Sequence, residues 1–227
     1  MKYTISAFLF ILITISGINA QDCDAYIPTK VGSTHMYVTK NKKDKVQSYH
    51  SQELLSKTNT EGGVEFQVLH VNYDDKKEIL SQDTLEFFCK GNMFYIDMTS
   101  YLNEEQLSAY EDSEIEISFE NIGYPSDLKT GTVLEDGYVQ AVVNMGMPMT
   151  FKTDITDRKV VGKETITTEA GSFETFKVSE TIISKLGFVN VKMSSISWIK
   201  LNVGNVRSES YDKKGNLISY TELISTD

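Results

Sequence analysis

The chain has 227 residues, 24% of them charged and 40% hydrophobic, which is the composition of an ordinary globular protein. Asp and Glu outnumber Lys and Arg by 32 to 22, and the resulting net charge of −10 excludes a nucleic-acid partner, because phosphate binding needs clustered basic residues. Three prolines and 14 glycines exclude a low-complexity or collagen-like chain, while three scattered histidines and two cysteines leave little material for a metal site.

The N-terminus reads as an export signal. Lys2 is followed by an apolar run from Ala7 to Ile15, then by Ser16-Gly17-Ile18-Asn19-Ala20, which ends in a small residue suited to cleavage. The run is about half the ~20 residues a spanning helix needs. Residues 1–20 are therefore expected to be a cleaved signal peptide, and residues 21–227 a single soluble β domain without a transmembrane anchor. A lipoprotein signal requires a small residue before the modified cysteine, and Asp22 stands before Cys23. Export to the periplasm or beyond places the two cysteines in an oxidising compartment, where a small even number suggests pairing. Cys89 ends the run Leu85-Glu86-Phe87-Phe88-Cys89, and a Cys23–Cys89 disulfide would close a loop of about 67 residues, worth roughly 4 kcal/mol in the chain-entropy view.

Short alternating runs then recur along the chain. They predict strands over Thr34–Thr39, Val46–Lys57, Val64–Tyr73, Ile79–Cys89 and Met93–Met98, and after an interruption over Glu114–Glu120, Tyr138–Asn144, Met149–Ile155 and Val160–Thr168. Phe173–Ile183, Phe188–Leu201, Val206–Tyr211 and Leu217–Ile224 complete the series. Asp74-Asp75, Gly91-Asn92, Asp136-Gly137, Ala170-Gly171-Ser172 and Gly215-Asn216 carry turn chemistry, so consecutive strands are expected to form an antiparallel meander. Two strands change parity: Val64, Phe66 and Val68 give way to Leu69, Val71 and Tyr73, and Val189, Val191 and Met193 to Ile196 and Trp198. A one-residue bulge in each would restore one inward face, with Val64, Phe66, Val189, Val191 and Trp198 all on it, and would curve the sheet. Asn103 followed by Glu104, Glu105 and Gln106 fits a capping box and predicts one short helix over Glu104–Glu111. The expected fold class is all-β: an antiparallel meander forming an open, strongly curved sheet or barrel, with that helix at one end.

Chemistry is sparse. The chain has no G-x-S-x-G elbow, phosphate loop, H-E-x-x-H or C-x-x-C. His35, His50 and His70 lie on three different predicted strands and read as ordinary strand histidines, so no catalytic residue, metal or cofactor is expected. The one unusual segment is Asn144-Met145-Gly146-Met147-Pro148-Met149, whose alternation puts three thioethers on one side of an extended chain. A soft-metal site, an adaptable apolar wall and plain core lining are the alternatives there. Met145, Met147, Met149 and Trp198 are the candidate wall for an apolar ligand.

Several segments resemble a group of uncharacterised exported bacterial proteins, a domain-of-unknown-function group with a YmcC-like barrel. They are Cys23-Asp24-Ala25-Tyr26-Ile27-Pro28 with Gly32-Ser33, Cys89-Lys90-Gly91-Asn92, Tyr124-Pro125-Ser126-Asp127-Leu128, Asp157 to Glu164, Ala170-Gly171-Ser172-Phe173 and Gly204 to Glu209. The resemblance implies an open, antiparallel, barrel-like sheet, distantly like lipoprotein-carrier barrels, and transfers no functional residue. The leading expectation is an exported, non-enzymatic protein that holds an apolar or lipid-like ligand, or a protein segment, against a curved sheet. The alternatives are an envelope protein-interaction module with a packed barrel, and a carboxylate-based hydrolase.

Overall fold

The computed structural model describes residues 24–102, 107, 110, 113–145, 147–187 and 189–227. The expected signal sequence, Cys23 and, but for Leu107 and Tyr110, the expected helix Glu104–Glu111 lie outside them. The strands are β1 (Thr34–Asn41), β2 (Val46–Thr60), β3 (Gly63–Tyr73), β4 (Ile79–Lys90), β5 (Met93–Ile96), β6 (Glu114–Glu120) and β7 (Ile122–Pro125). They continue as β8 (Gly137–Met145), β9 (Met147–Thr168), β10 (Gly171–Leu186), β11 (Val189–Lys200), β12 (Gly204–Tyr211) and β13 (Leu217–Thr226). All form one antiparallel sheet in the order β6-β8-β9-β10-β11-β12-β13-β1-β2-β3-β4-β5-β7. A 3-10 turn, Met98–Tyr101, is capped by the Asp97 side chain, which accepts from Thr99 N at 2.8 Å.

Three hairpins share one turn device. Asn41, Asp74 and Asp212 each use a side-chain oxygen to accept two backbone N–H groups, from Lys43 and Lys45, from Lys76 and Glu78, and from Lys214 and Asn216. The fourth residue of each turn, Asp44, Lys77 or Gly215, takes a left-handed conformation with φ of 59°, 67° or 79°. Asx side chains at the first position thus fix both loop length and register.

The two ends of the sheet, β6 and β7, are consecutive in the chain and separated by Asn121 alone. One extended stretch therefore pairs first with β8 and then with β5, curling the sheet into a nearly closed barrel. Asn121 Oδ1 accepts from Met98 N at 2.9 Å at the crossing point. Gly137 opens β8 beside it, where a Cβ would lie 2.6 Å from Glu120 O and 2.5 Å from Ile122 Cγ2. On the β7 side, the segment after β7 is stitched to β9 through Gly131 N to Val160 O, Val160 N to Thr132 O and Leu134 N to Arg158 O. On the β6 side the wall stays open. β5 covers only Phe87–Lys90 of β4, so among the described residues the first part of β4 has no strand on its outer edge, and neither has β6.

Two expectations need correction. Met149–Ile155 and Val160–Thr168 are one continuous strand, β9, of 22 residues. It pairs with β10 with two register slips, and at the second Asp157 and Arg158 together oppose Glu180. What reads in sequence as a break is a bulge, with Asp157 at φ 56°. The bulges expected inside β3 and β11 are displaced. β2 carries one at Leu55, opposite Val68 and Gln67, while β11 pairs with β10 without a slip through Ser194-Ser195. Trp198 consequently falls on the face opposite Ser197 and Ile199. Val64 and Phe66 are buried, whereas Val189 and Val191 are 59% and 38% exposed.

The interior is apolar at one end and polar at the other. Val64, Phe66 and Val68 of β3, Phe87 of β4, Phe94 of β5, Ile122 of β7 and Val178 of β10 fill the apolar end. Phe94 stacks on Phe87 at 5.7 Å and meets Phe66 edge-on at 6.4 Å, geometries favoured by the ring quadrupoles. Toward the Asx hairpins the same inward positions become His50 and Gln52 on β2 and His70 and Asn72 on β3.

Candidate functional site: the barrel interior

A cavity of about 530 Å3 lies where the apolar and polar halves meet. Phe87, Phe94, Ile96, Ile122 and Ile199 line its apolar side; Gln52, His70, Asn72, Ser195, Ser197, Asn205 and Ser208 line the other. Glu180 and Asp83 are its two carboxylates. Ser100, Tyr101, Asp83 and Leu85 are shared with a groove of about 1080 Å3 that runs along the open flank, between the start of β4, the 3-10 turn and Ile117 of β6. The open edges thus form a slot leading to the interior. Ile117, which lines the groove, and Phe119 face the same way as the buried Val139 and Ala141 of β8 and are 51% and 48% exposed.

The bulge in β9 turns Arg158 inward, where it is fully buried. Its Nη1 donates to the carbonyls of Glu135 at 2.6 Å and Gly123 at 3.3 Å, its guanidinium lies 4.6 Å from the Tyr124 ring centre, and its Nε stands 3.6 Å from Glu180 Oε2. One side chain therefore ties β9 to β7 and to the segment before β8 across the seam of the barrel. Burial raises the Glu180 pKa, with the Arg158 charge opposing it.

The three histidines, dispersed in sequence, are brought together. Tyr37 stacks on His50 at 4.5 Å, His50 lies 5.1 Å from His70, and His35 is 6.5 Å from Tyr37. Burial, reinforced by the neighbouring His70, lowers the pKa of His50 to about 3; burial also lowers those of His35 and His70. All three are neutral near pH 7. Among the described residues no group of three or more His, Cys, Asp or Glu is placed to hold a metal ion.

Of the residues singled out from sequence, Trp198, Met149 and Cys89 can be placed. Trp198 is 5% exposed on the outer face, donates to Glu164 at 2.8 Å and is covered by Lys177 at 4.8 Å and Arg207 at 5.9 Å; it does not line the cavity. Met149 accepts from the Tyr110 hydroxyl at 3.5 Å, and the side chains of Met145 and Met147 lie outside the described residues. Cys89 is 5% exposed at the end of β4. Sequence reasoning missed Arg158, Glu180 and the polar wall. One signal was available: Glu180 interrupts the inward series Val178, Glu180, Ile182, just as His70 follows Val64, Phe66 and Val68.

Residues 30–223 match the profile of the DUF3108-like family. Two solved structures share the barrel. A protein described as exported, with a YmcC-like fold, from Bacteroides fragilis is 20% identical, covering 90% of this chain and all of its own, with a TM-score of 0.72. A protein described as a lipoprotein from Parabacteroides distasonis is 24% identical, with coverages of 91% and 100% and a TM-score of 0.74. No curated protein matches the chain. The fold is thus that of the YmcC-like barrels, a class of curled antiparallel sheets. The chain belongs to the DUF3108-like family.

Proposed function

We propose that this is an exported, non-enzymatic protein that holds an apolar or lipid-like molecule inside its curved sheet. The observation that carries the reading is the cavity of about 530 Å3, within the range of small-molecule sites, with aromatic and aliphatic side chains on one side and a slot alongside. The apolar run at residues 7–15, and the description of the Bacteroides fragilis neighbour as exported, support the location. Solvent extraction and mass spectrometry of protein purified from its native compartment test the proposal: a stoichiometric apolar molecule is expected. Its absence, together with failure to take up any added amphiphile, refutes it. A second reading, an envelope protein-interaction module, draws on the open edge of β6 with its exposed Ile117 and Phe119.

A further inference from the structure

The cavity wall carries an uneven set of hydrogen-bonding groups. Three of its side-chain atoms are buried without a hydrogen-bond partner: His70 Nδ1, Asn205 Oδ1 and Glu180 Oε2. Each is an acceptor. His70 Nε2 faces Asn72 Oδ1 at 3.0 Å and so carries the ring proton, which leaves Nδ1 with a lone pair. An amide oxygen offers only lone pairs, and the Glu180 carboxylate meets Arg158 at 3.6 Å, beyond hydrogen-bonding distance. The unpartnered donors nearby, Nε and Nη2 of Arg158, belong to a side chain that is off the wall. Buried acceptors without donors are costly, and the cost is recovered by whatever brings donors to them. Asp83 on the same wall and the net charge of −10 add a field that repels anions.

Resting on the reading of the interior as an amphiphile site, we infer that the head group it accepts is a hydrogen-bond donor without negative charge, a hydroxyl or amine head rather than a carboxylate or phosphate. The apolar tail lies against Phe87, Phe94 and Ile122, and the head against His70, Asn205 and Glu180. Hydroxyl and ammonium heads present the same chemistry to this wall, since both bring several donors to fixed acceptors.

Isothermal titration of the mature chain with three probes of equal chain length, dodecylamine, monododecanoylglycerol and dodecanoate, each below its micelle concentration, tests this. The amine and the glyceride are expected to bind at least tenfold more tightly than dodecanoate. His70→Leu and Asn205→Leu, each replacing an acceptor with an apolar group, should narrow that ratio by weakening the two donor probes while leaving dodecanoate unchanged. Dodecanoate binding as tightly as the others, or a ratio that neither substitution alters, overturns the inference and leaves the proposed function standing. Binding by none of the three overturns the proposed function and this inference with it.

Discussion

Arg158 shows how much one side chain can hold in place. Fully buried, it satisfies two carbonyls, stacks on Tyr124 and faces Glu180, all from a bulge that exists because Asp157 tolerates a left-handed backbone. Arg158→Met removes the donors of two carbonyls and leaves Glu180 buried without a counter-charge. A loss of about 3–5 kcal/mol in urea unfolding is expected. Adding Glu180→Leu should restore part of it, since the double variant buries no lone charge, and a single-variant loss below about 1 kcal/mol would refute the clasp role. His50 governs the response to pH. Its folded pKa of about 3 lies well below the ordinary 6.5, so the unfolded chain binds the proton more readily and acidification through 6.5 favours unfolding. His35 and His70 act in the same direction. Glu180, raised from 4.5, acts in the opposite one, its penalty growing as pH rises from that value. Thermal melts at pH 7.5 and about 5.5 should show a lower midpoint in acid, with a smaller drop in His50→Gln. An equal drop in the variant would remove His50 from the account.

At the scale of elements, alternation and turn chemistry made most of the sheet readable. The hairpins at Asp74 and Gly215-Asn216 announce themselves because Asp, Asn and Gly are the residues that close such turns. β7 did not, since Ile122-Gly123-Tyr124-Pro125 is four residues long and ends in proline, below the length at which alternation can be recognised. β9 reads as two strands because a bulge at Asp157-Arg158 breaks the period locally while the ladder continues on both sides. The parity change in β3 was visible but has another cause: the inward positions stay inward and change from valine and phenylalanine to histidine and asparagine. The polar wall was illegible for the same reason. A pattern of polarity cannot tell an outward polar residue from one turned into a cavity; only the closing of the sheet does.

For the molecule as a whole, the strand order makes a barrel that is fastened at one level and open at another. The chain just after Cys23 belongs to the fastened part: Tyr26 lies 6.2 Å from Phe94 and 5.5 Å from Tyr124, and Phe94 is the cross-strand partner of Cys89. That proximity supports the proposed Cys23–Cys89 bridge. Thiol titration of the unfolded, unreduced mature protein should find no free thiol, and two free thiols would refute the bridge. The open part has a kinetic signature. In an antiparallel strand successive amides point to opposite sides, so along β6, and along β4 before Phe87, every second N–H points into the slot with no cross-strand acceptor among the described residues, while its neighbour is bonded to β8 or β3. Deuterium exchange resolved by residue should therefore alternate along these two strands, fast and slow with a period of two, whereas β12 and β13 in the middle of the sheet exchange slowly throughout.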